Sequence, residues 1–324
     1  MKRLISPSFL LALALLIAVE IALRWLLPPS FTVAFDYGFN PAAGFEESGD
    51  GMVRLAAGGG RDFHPQAFLR HRPDGVDRIF VFGDSVEYGH VPPCLSNTYP
   101  ARLAAELQQR GIKAESFNLG VVGVGTLREQ VMLRQVLAYQ PTLLVFKLND
   151  SNDLLEEAAF RRAREFRSWH PKDWLRKTFV VQSLLVLKED HLMRHWLAPK
   201  IFAMNLKPDA KPPSTTAQSS SSPQLSERFC RTVRENVALA RARNIPVLLI
   251  TQAYVTHDAK GQIEVSDHGL NAFAEELSGP GVSCLSMVQL FTPLTPGLVF
   301  VDHMHLNETG HRMVAHALAE RIFP

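Results

Sequence analysis

Cysteine is scarce in this chain of 324 residues: there are three, Cys94, Cys230 and Cys284, far apart and in no C-x-x-C pair. That scarcity excludes a disulfide-dense scaffold and a cysteine-rich zinc module, and at most one disulfide could form. An excess of charge of either sign is lacking as well. Lys and Arg number 34 against 32 Asp and Glu, a formal net charge of +2. A nucleic-acid-binding domain usually declares itself by a strongly basic balance, so no such partner is expected. No internal repeat is visible, and no Gly-x-Ser-x-Gly elbow surrounds the serine singled out below. What is present is an ordinary globular mixture, 46% apolar and 20% charged, which excludes a chain disordered throughout.

One long apolar run departs from that average. It extends from Phe9 to Leu27 and is interrupted only by Glu20 and Arg24. As a helix at 1.5 Å per residue it spans about 28 Å, close to the hydrocarbon thickness of a bilayer. Lys2 and Arg3 favour an amino terminus kept in the cytoplasm, with the following chain exported. A cleavable signal peptide has a shorter apolar core and a small-x-small cleavage site. Here the run leads into Arg24-Trp25-Leu26-Leu27-Pro28-Pro29, where Arg24 and Trp25 suit an interface. The expectation is an uncleaved signal anchor over residues 1–29, with the membrane as partner and the remaining chain periplasmic. The competing reading is a buried amphipathic helix, because Glu20 would be costly at mid-bilayer. Glu20 lies near the far end, however, where its side chain can reach headgroups.

Residues 30–76 carry few periodic signals and include Gly58-Gly59-Gly60, so a loop-rich lead-in is expected. Regular alternation then begins. Apolar runs at 78–82, 114–119, 143–148, 247–251 and 282–287 read as strands. Helical spacing occupies 99–109, 127–139, 225–243, 270–277 and 308–322. This alternation predicts an α/β domain over 77–324, with a mostly parallel five-stranded sheet covered on both faces. An insertion at 155–223 interrupts it. Its first part is rich in arginine, and 208–223 is rich in Pro, Ser and Thr, too polar to order itself. The basic part is read as a solvated helical excursion; contact with anionic headgroups or an acidic polymer, or capping of the site, are the alternatives.

In an open parallel sheet, ligands bind beyond the carboxyl ends of the strands, so the loops there are the place to look for chemistry. Gly83-Asp84-Ser85 follows the first strand, and Ser85 is a nucleophile candidate that needs a base. Asp302 and His305, three apart before the last helix, can pair so that the carboxylate orients the imidazole. The chain order is then Ser, Asp, His. His303-x-His305 could instead supply two metal ligands, but no third of matching spacing is apparent. Asn118 to Thr126 is a glycine-rich turn in which Gly123 would offer an unobstructed N–H. Asn149-Asp150-Ser151-Asn152-Asp153, after the third strand, offers an amide. Each loop taken singly reads as ordinary turn chemistry; together they are hard to assign to chance.

The blocks at Arg78–Ser85, Asn118–Thr126 and Asp302–Asn307, with Gly310-His311 behind, resemble those of the SGNH (GDSL-like) hydrolase family. The resemblance covers roughly residues 75 to 320. It implies a flavodoxin-like three-layer α/β/α sandwich and an ester hydrolase or acyl transferase working through an acyl-serine, with no metal or organic cofactor. Ser85 would attack, His305 would carry the proton and Asp302 would hold His305. The oxyanion would be met by Ser85 and Gly123 N–H groups and the Asn152 amide, with Asn149 as rival, and Asp84 would be structural. Glu87 stands where the family often has Thr, which is expected to alter the mouth of the site. The implied substrate is an O-acyl, chiefly O-acetyl, group of envelope carbohydrate. A lipid esterase and a catalytically inactive envelope-assembly protein are the alternatives.

Overall fold

The computed structural model describes residues 6–26, 44–56, 63–89, 95–153, 178, 180, 225–257 and 263–322. Nearly all of the expected insertion at 155–223, with its Pro/Ser/Thr-rich end, lies outside the described residues.

The chain begins with helix α1 (Pro7–Leu26), long and apolar enough to cross a membrane. None of its residues is buried against the rest of the protein. Glu20 is paired one turn on with Arg24, 2.8 Å away, so the carboxylate carries its counter-charge on the same helix.

Three short strands follow, β1 (Gly44–Glu47), β2 (Met52–Ala56) and β3 (Gln66–Leu69), forming an antiparallel sheet where the sequence predicts loop. They are only four or five residues long and lack clean alternation. Their stability comes from packing: Val53, Leu55 and Phe68 are buried in the core of the main domain, and Phe45 packs against it.

The main domain runs β4 (Asp77–Gly83), α2 (Ser85–Tyr88), α3 (Tyr99–Gln109), β5 (Ala114–Gly120), α4 (Thr126–Val136), β6 (Leu143–Leu148), α5 (Glu227–Arg241) and β7 (Val247–Thr251). It continues through the hairpin β8 (Tyr254–His257) and β9 (Ile263–Ser266), then α6 (Leu270–Leu277), β10 (Val282–Ser286), α7 (Met287–Phe291) and α8 (Glu308–Ile322). Five strands pair in the order β10-β7-β6-β4-β5, and every pairing is parallel. Numbered along the chain, that is the 2-1-3-4-5 order of flavodoxin-like sheets. The expected five-stranded α/β/α architecture is therefore what the chain adopts.

Alternation along the strands separates the two faces. Phe80, Phe82, Leu144, Phe146 and Leu249 pack under α4, α5 and α6 through Met132, Phe229, Val233 and Phe273. Ile79, Val81, Val145, Leu248 and Ile250 pack under α3, α7 and α8 through Leu103, Leu107, Phe291, Val314 and Leu318. A strand covered on both sides reads as continuous apolar sequence, which is why these runs were legible.

The small sheet is fastened to the large one by Arg78, whose side chain is fully buried. Its guanidinium donates to the carbonyls of Tyr139 and Leu69, both at 2.8 Å, pairs with Glu115 and lies over the Phe68 ring. Gln66 guards the outer edge of β5: its Nε2 donates to the Asn118 carbonyl at 2.7 Å and its Oε1 accepts the Asn118 N–H at 2.8 Å. Replacing Arg78 with Met removes this donor from the buried Tyr139 carbonyl and the half-buried Leu69 carbonyl, and leaves Glu115 without its partner. We expect Arg78→Met to cost about 3 kcal/mol in urea denaturation.

Candidate active site

The order of strands reverses between β4 and β6, and ligand crevices of such sheets open at that point. Ser85 sits at this place, the first residue of α2, directly after β4. The four-residue helix is defined at both ends. Asp84 accepts the Val86 N–H at 2.9 Å, Glu87 Oε2 accepts the Asp84 N–H at 2.8 Å, and Gly89 closes the turn in the left-handed conformation. This is a capping box, here fully buried.

Helix α2 lies tight against the ends of the strands. A Cβ on Gly120 would stand 2.6 Å from the Tyr88 nitrogen, so only glycine ends β5 there. Asn118 donates its amide to the Glu87 carbonyl, and His64 stacks on Tyr88 with ring centroids 4.3 Å apart.

His305 arrives from the far end of the chain. Its Nε2 is 2.8 Å from Ser85 Oγ, and its Nδ1 is 2.7 Å from Asp302 Oδ2. Asp302 Oδ1 accepts the backbone N–H groups of His305 and Met304 at 2.7 and 2.9 Å. The carboxylate thus fixes both the ring and the loop that bears it. With Nδ1–H given to Asp302, the Nε2 lone pair faces the serine hydroxyl. Burial alone would raise the Asp302 pKa, but the hydrogen bond and charge of His305 and the two backbone donors outweigh it, to about 2. Two further bonds hold the loop: the Val255 N–H donates to the His303 carbonyl at 2.7 Å, and Gln252 Nε2 to the Met304 carbonyl at 3.1 Å. The His303 side chain is exposed.

The loop after β5 is carried beside Ser85 by a bond from the Val121 N–H to the Gly83 carbonyl, 3.2 Å. Its turn is closed by the Val124 N–H on the Val121 carbonyl, with Gly123 at φ +74°. That backbone requirement, rather than crowding, accounts for glycine, since a Cβ there would meet nothing within 4 Å. Among the described residues neither the Gly123 nor the Ser85 N–H has a protein acceptor.

The loop after β6 brings both asparagines to one atom. Asn149 and Asn152 each donate an amide hydrogen to Asp84 Oδ2, the latter at 2.8 Å. The Asn149 carbonyl oxygen accepts from Ser151 N, Ser151 Oγ and Tyr254 OH at 3.1, 2.6 and 2.6 Å, which sets the orientation of its amide. Both amides keep a second N–H. Asp153 accepts from the Thr126 N–H and hydroxyl at 3.1 and 2.6 Å, tying this loop to the glycine-rich one.

Two ionisable residues that sequence reasoning missed or misplaced lie beneath the serine. Lys147, next to the carboxyl end of buried β6, places Nζ 2.8 Å from Asp84 Oδ2 and 3.8 Å from Glu87 Oε2. Burial pushes the Asp84 carboxyl up, but Lys147 and the hydrogen-bond donors around it hold it below the ordinary carboxylate range. The signal was available: a lysine in an otherwise apolar strand needs a buried counter-charge. Glu87 was expected at the mouth of the site and is instead fully buried, taking the Tyr99 hydroxyl on Oε1 at 2.7 Å. Its carboxylate is the third-residue half of the capping box, accepting the Asp84 N–H, and that bond turns it inward. Burial and the Asp84 charge raise its pKa to about 7 against the pull of Lys147 and Tyr99.

Glu87 and His311 make opposite demands on pH. Folded Glu87 keeps its proton up to about 7, whereas its ordinary value is 4.5, so its contribution to stability falls as pH rises between them. His311 accepts the Tyr99 N–H on Nδ1, and burial, Arg102 and His305 lower its pKa from 6.5 to about 4. Its contribution is present above 6.5 and lost as pH falls toward about 4. Glu87→Gln removes only the first effect. The variant's urea midpoint is expected to gain on that of the wild type as pH rises from about 5 to 7.

No family model matches the chain, and no curated protein matches it. Solved structures resemble it distantly. An acetyl xylan esterase overlays with a TM-score of 0.45 and 15% identity, over 76% of this chain and 100% of that one. A member of the lipolytic protein G-D-S-L family from Veillonella parvula DSM 2008 gives 0.42 and 13%, over 76% and 97%. An SGNH-hydrolase family esterase gives 0.40 and 18%, over 78% and 100%. The architecture described above rests on the chain's own strand order and packing.

Proposed function

We propose that the chain is a serine ester hydrolase working through an acyl-serine intermediate. The observation that carries this reading is the continuous hydrogen-bonded line from Ser85 Oγ through the His305 ring to Asp302. A serine hydroxyl is a poor nucleophile until a base takes its proton, and a carboxylate behind the imidazole stabilises the imidazolium that forms.

In this mechanism Ser85 Oγ attacks the ester carbonyl as His305 Nε2 takes its proton. The tetrahedral oxyanion is met by the N–H groups of Ser85 and Gly123 and by an amide after β6, with Asn152 and Asn149 both at hand. His305 returns the proton to the departing alcohol, leaving the acyl group on Ser85. Water, activated by the same imidazole, releases the acid and restores the serine. A sugar hydroxyl in place of that water would make the reaction a transfer.

The substrate we assign is an O-acetyl ester of envelope carbohydrate, reached by a domain held outside the cytoplasm on α1. The exposed, apolar α1 supports a membrane position. It also favours a second reading, a lipid esterase, because the site would then stand near lipid. The length of the acyl chain separates the two. Turnover confined to p-nitrophenyl acetate supports the first, and preference for long-chain esters supports the second.

A fluorophosphonate probe tests the shared mechanism. Wild type is expected to be labelled, whereas Ser85→Ala and His305→Ala are not, with ester turnover down by at least about 10³-fold in each. Equal labelling of all three proteins would overturn the proposal and leave the inactive assembly protein.

A further inference from the structure

Lys147 has no place in the chemistry just described, yet it lies under it. In β6 it shares a face with Leu143 and Val145, which pack into the apolar layer below α3 and α8. Its side chain is 0% exposed. Removing an ammonium from water costs several kcal/mol, so an aliphatic residue would suit the strand far better. What the ammonium does is hold one oxygen, Asp84 Oδ2, at 2.8 Å.

That oxygen is shared. It also accepts from Asn149 Nδ2 and from Asn152 Nδ2, and the other oxygen of the carboxylate accepts the Val86 N–H. All four donors require Asp84 to be an acceptor on both sides. A neutral carboxylic acid would be a weaker acceptor for the three donors gathered on Oδ2 and would add an O–H that itself needs an acceptor. Each asparagine spends one amide hydrogen on Asp84, and the direction of that bond sets where the second points.

We propose that Lys147 is a positioning residue, holding Asp84 as the carboxylate that aims the Asn149 and Asn152 amides at the oxyanion formed on Ser85. The inference rests on the acyl-serine reading and deepens it. It makes the two asparagines a pair working from one anchor, and it assigns a buried strand lysine a part in the rate.

The test is a coupling experiment with p-nitrophenyl acetate, using wild type, Lys147→Met, the double variant Asn149→Ala/Asn152→Ala, and the triple variant. Losing an oxyanion donor costs about 10²–10³ in kcat, and misaiming one should cost somewhat less. Lys147→Met is expected to lower kcat by about 30-fold with KM within about twofold of wild type. In the background that lacks both amides, the same substitution is expected to cost less than about threefold, because its targets are gone. An equal loss in both backgrounds, or no loss in the first, would overturn the proposal.

Should Lys147→Met alone not fold, Asp84→Asn with Lys147→Met removes both charges at nearly constant shape. An amide at position 84 cannot accept on both sides, so kcat is expected to stay at least about 10-fold low; recovery to the wild-type rate would overturn the assignment. The wild type is assayed beside Ser85→Ala throughout. Turnover that does not depend on Ser85 overturns the acyl-serine reading itself, whereas Ser85-dependent turnover that ignores Lys147 overturns only this inference.

Discussion

A single carboxylate closed off from water, that of Asp84, is the constraint around which this protein is arranged. A buried charge persists only when it is matched, and the matching here comes from four donors on three elements. Lys147 reaches it from the next strand, the Val86 N–H from α2, and two amides from the loop after β6. Because the partners belong to separate elements, satisfying one side chain fixes the relative positions of β4, α2, β6 and the loop beyond. Ser85, the next residue in the chain, is oriented as a consequence.

The topology supplies the other half of the site. The order of strands reverses between β4 and β6, and α8 packs against α3 on one face of the sheet. The segment before α8 is thereby delivered beside the loop after β4, although 220 residues separate His305 from Ser85. Hydrogen bonds from Val255 and Gln252 to that segment keep the imidazole from drifting. Precision in the Ser85–His305–Asp302 line thus derives from the hairpin region after β7 as much as from the three residues themselves.

Much of this was readable in advance, for a physical reason. Strands buried on two faces are short apolar runs, and amphipathic helices between them carry a different period, so the five-stranded core and the helices 99–109, 270–277 and 308–322 follow directly. That Ser85, His305 and Asp302 meet in one hydrogen-bonded line follows from residue type and local spacing. The antiparallel sheet at β1–β3 was not, since its strands are short and are held by distant partners such as Phe80 and Arg78. Nor was the inward turn of Glu87, which depends on where a carboxylate finds donors rather than on its position in a motif. Lys147 was overlooked as one polar letter in an apolar run. Nor does the motif show that the rival amides of Asn149 and Asn152 both donate to one oxygen of Asp84.

The double bond of Gln66 to the Asn118 backbone has a bearing on how molecules meet. β5 is the outermost strand of a long parallel sheet, and such a margin offers ready attachment to a neighbouring copy. One side-chain amide, presenting an oxygen and a nitrogen in the spacing of a peptide group, imitates a further strand one residue wide and then stops. The sheet is capped by its own chain at the end nearest the serine, so crowding of copies need not become fusion of their sheets.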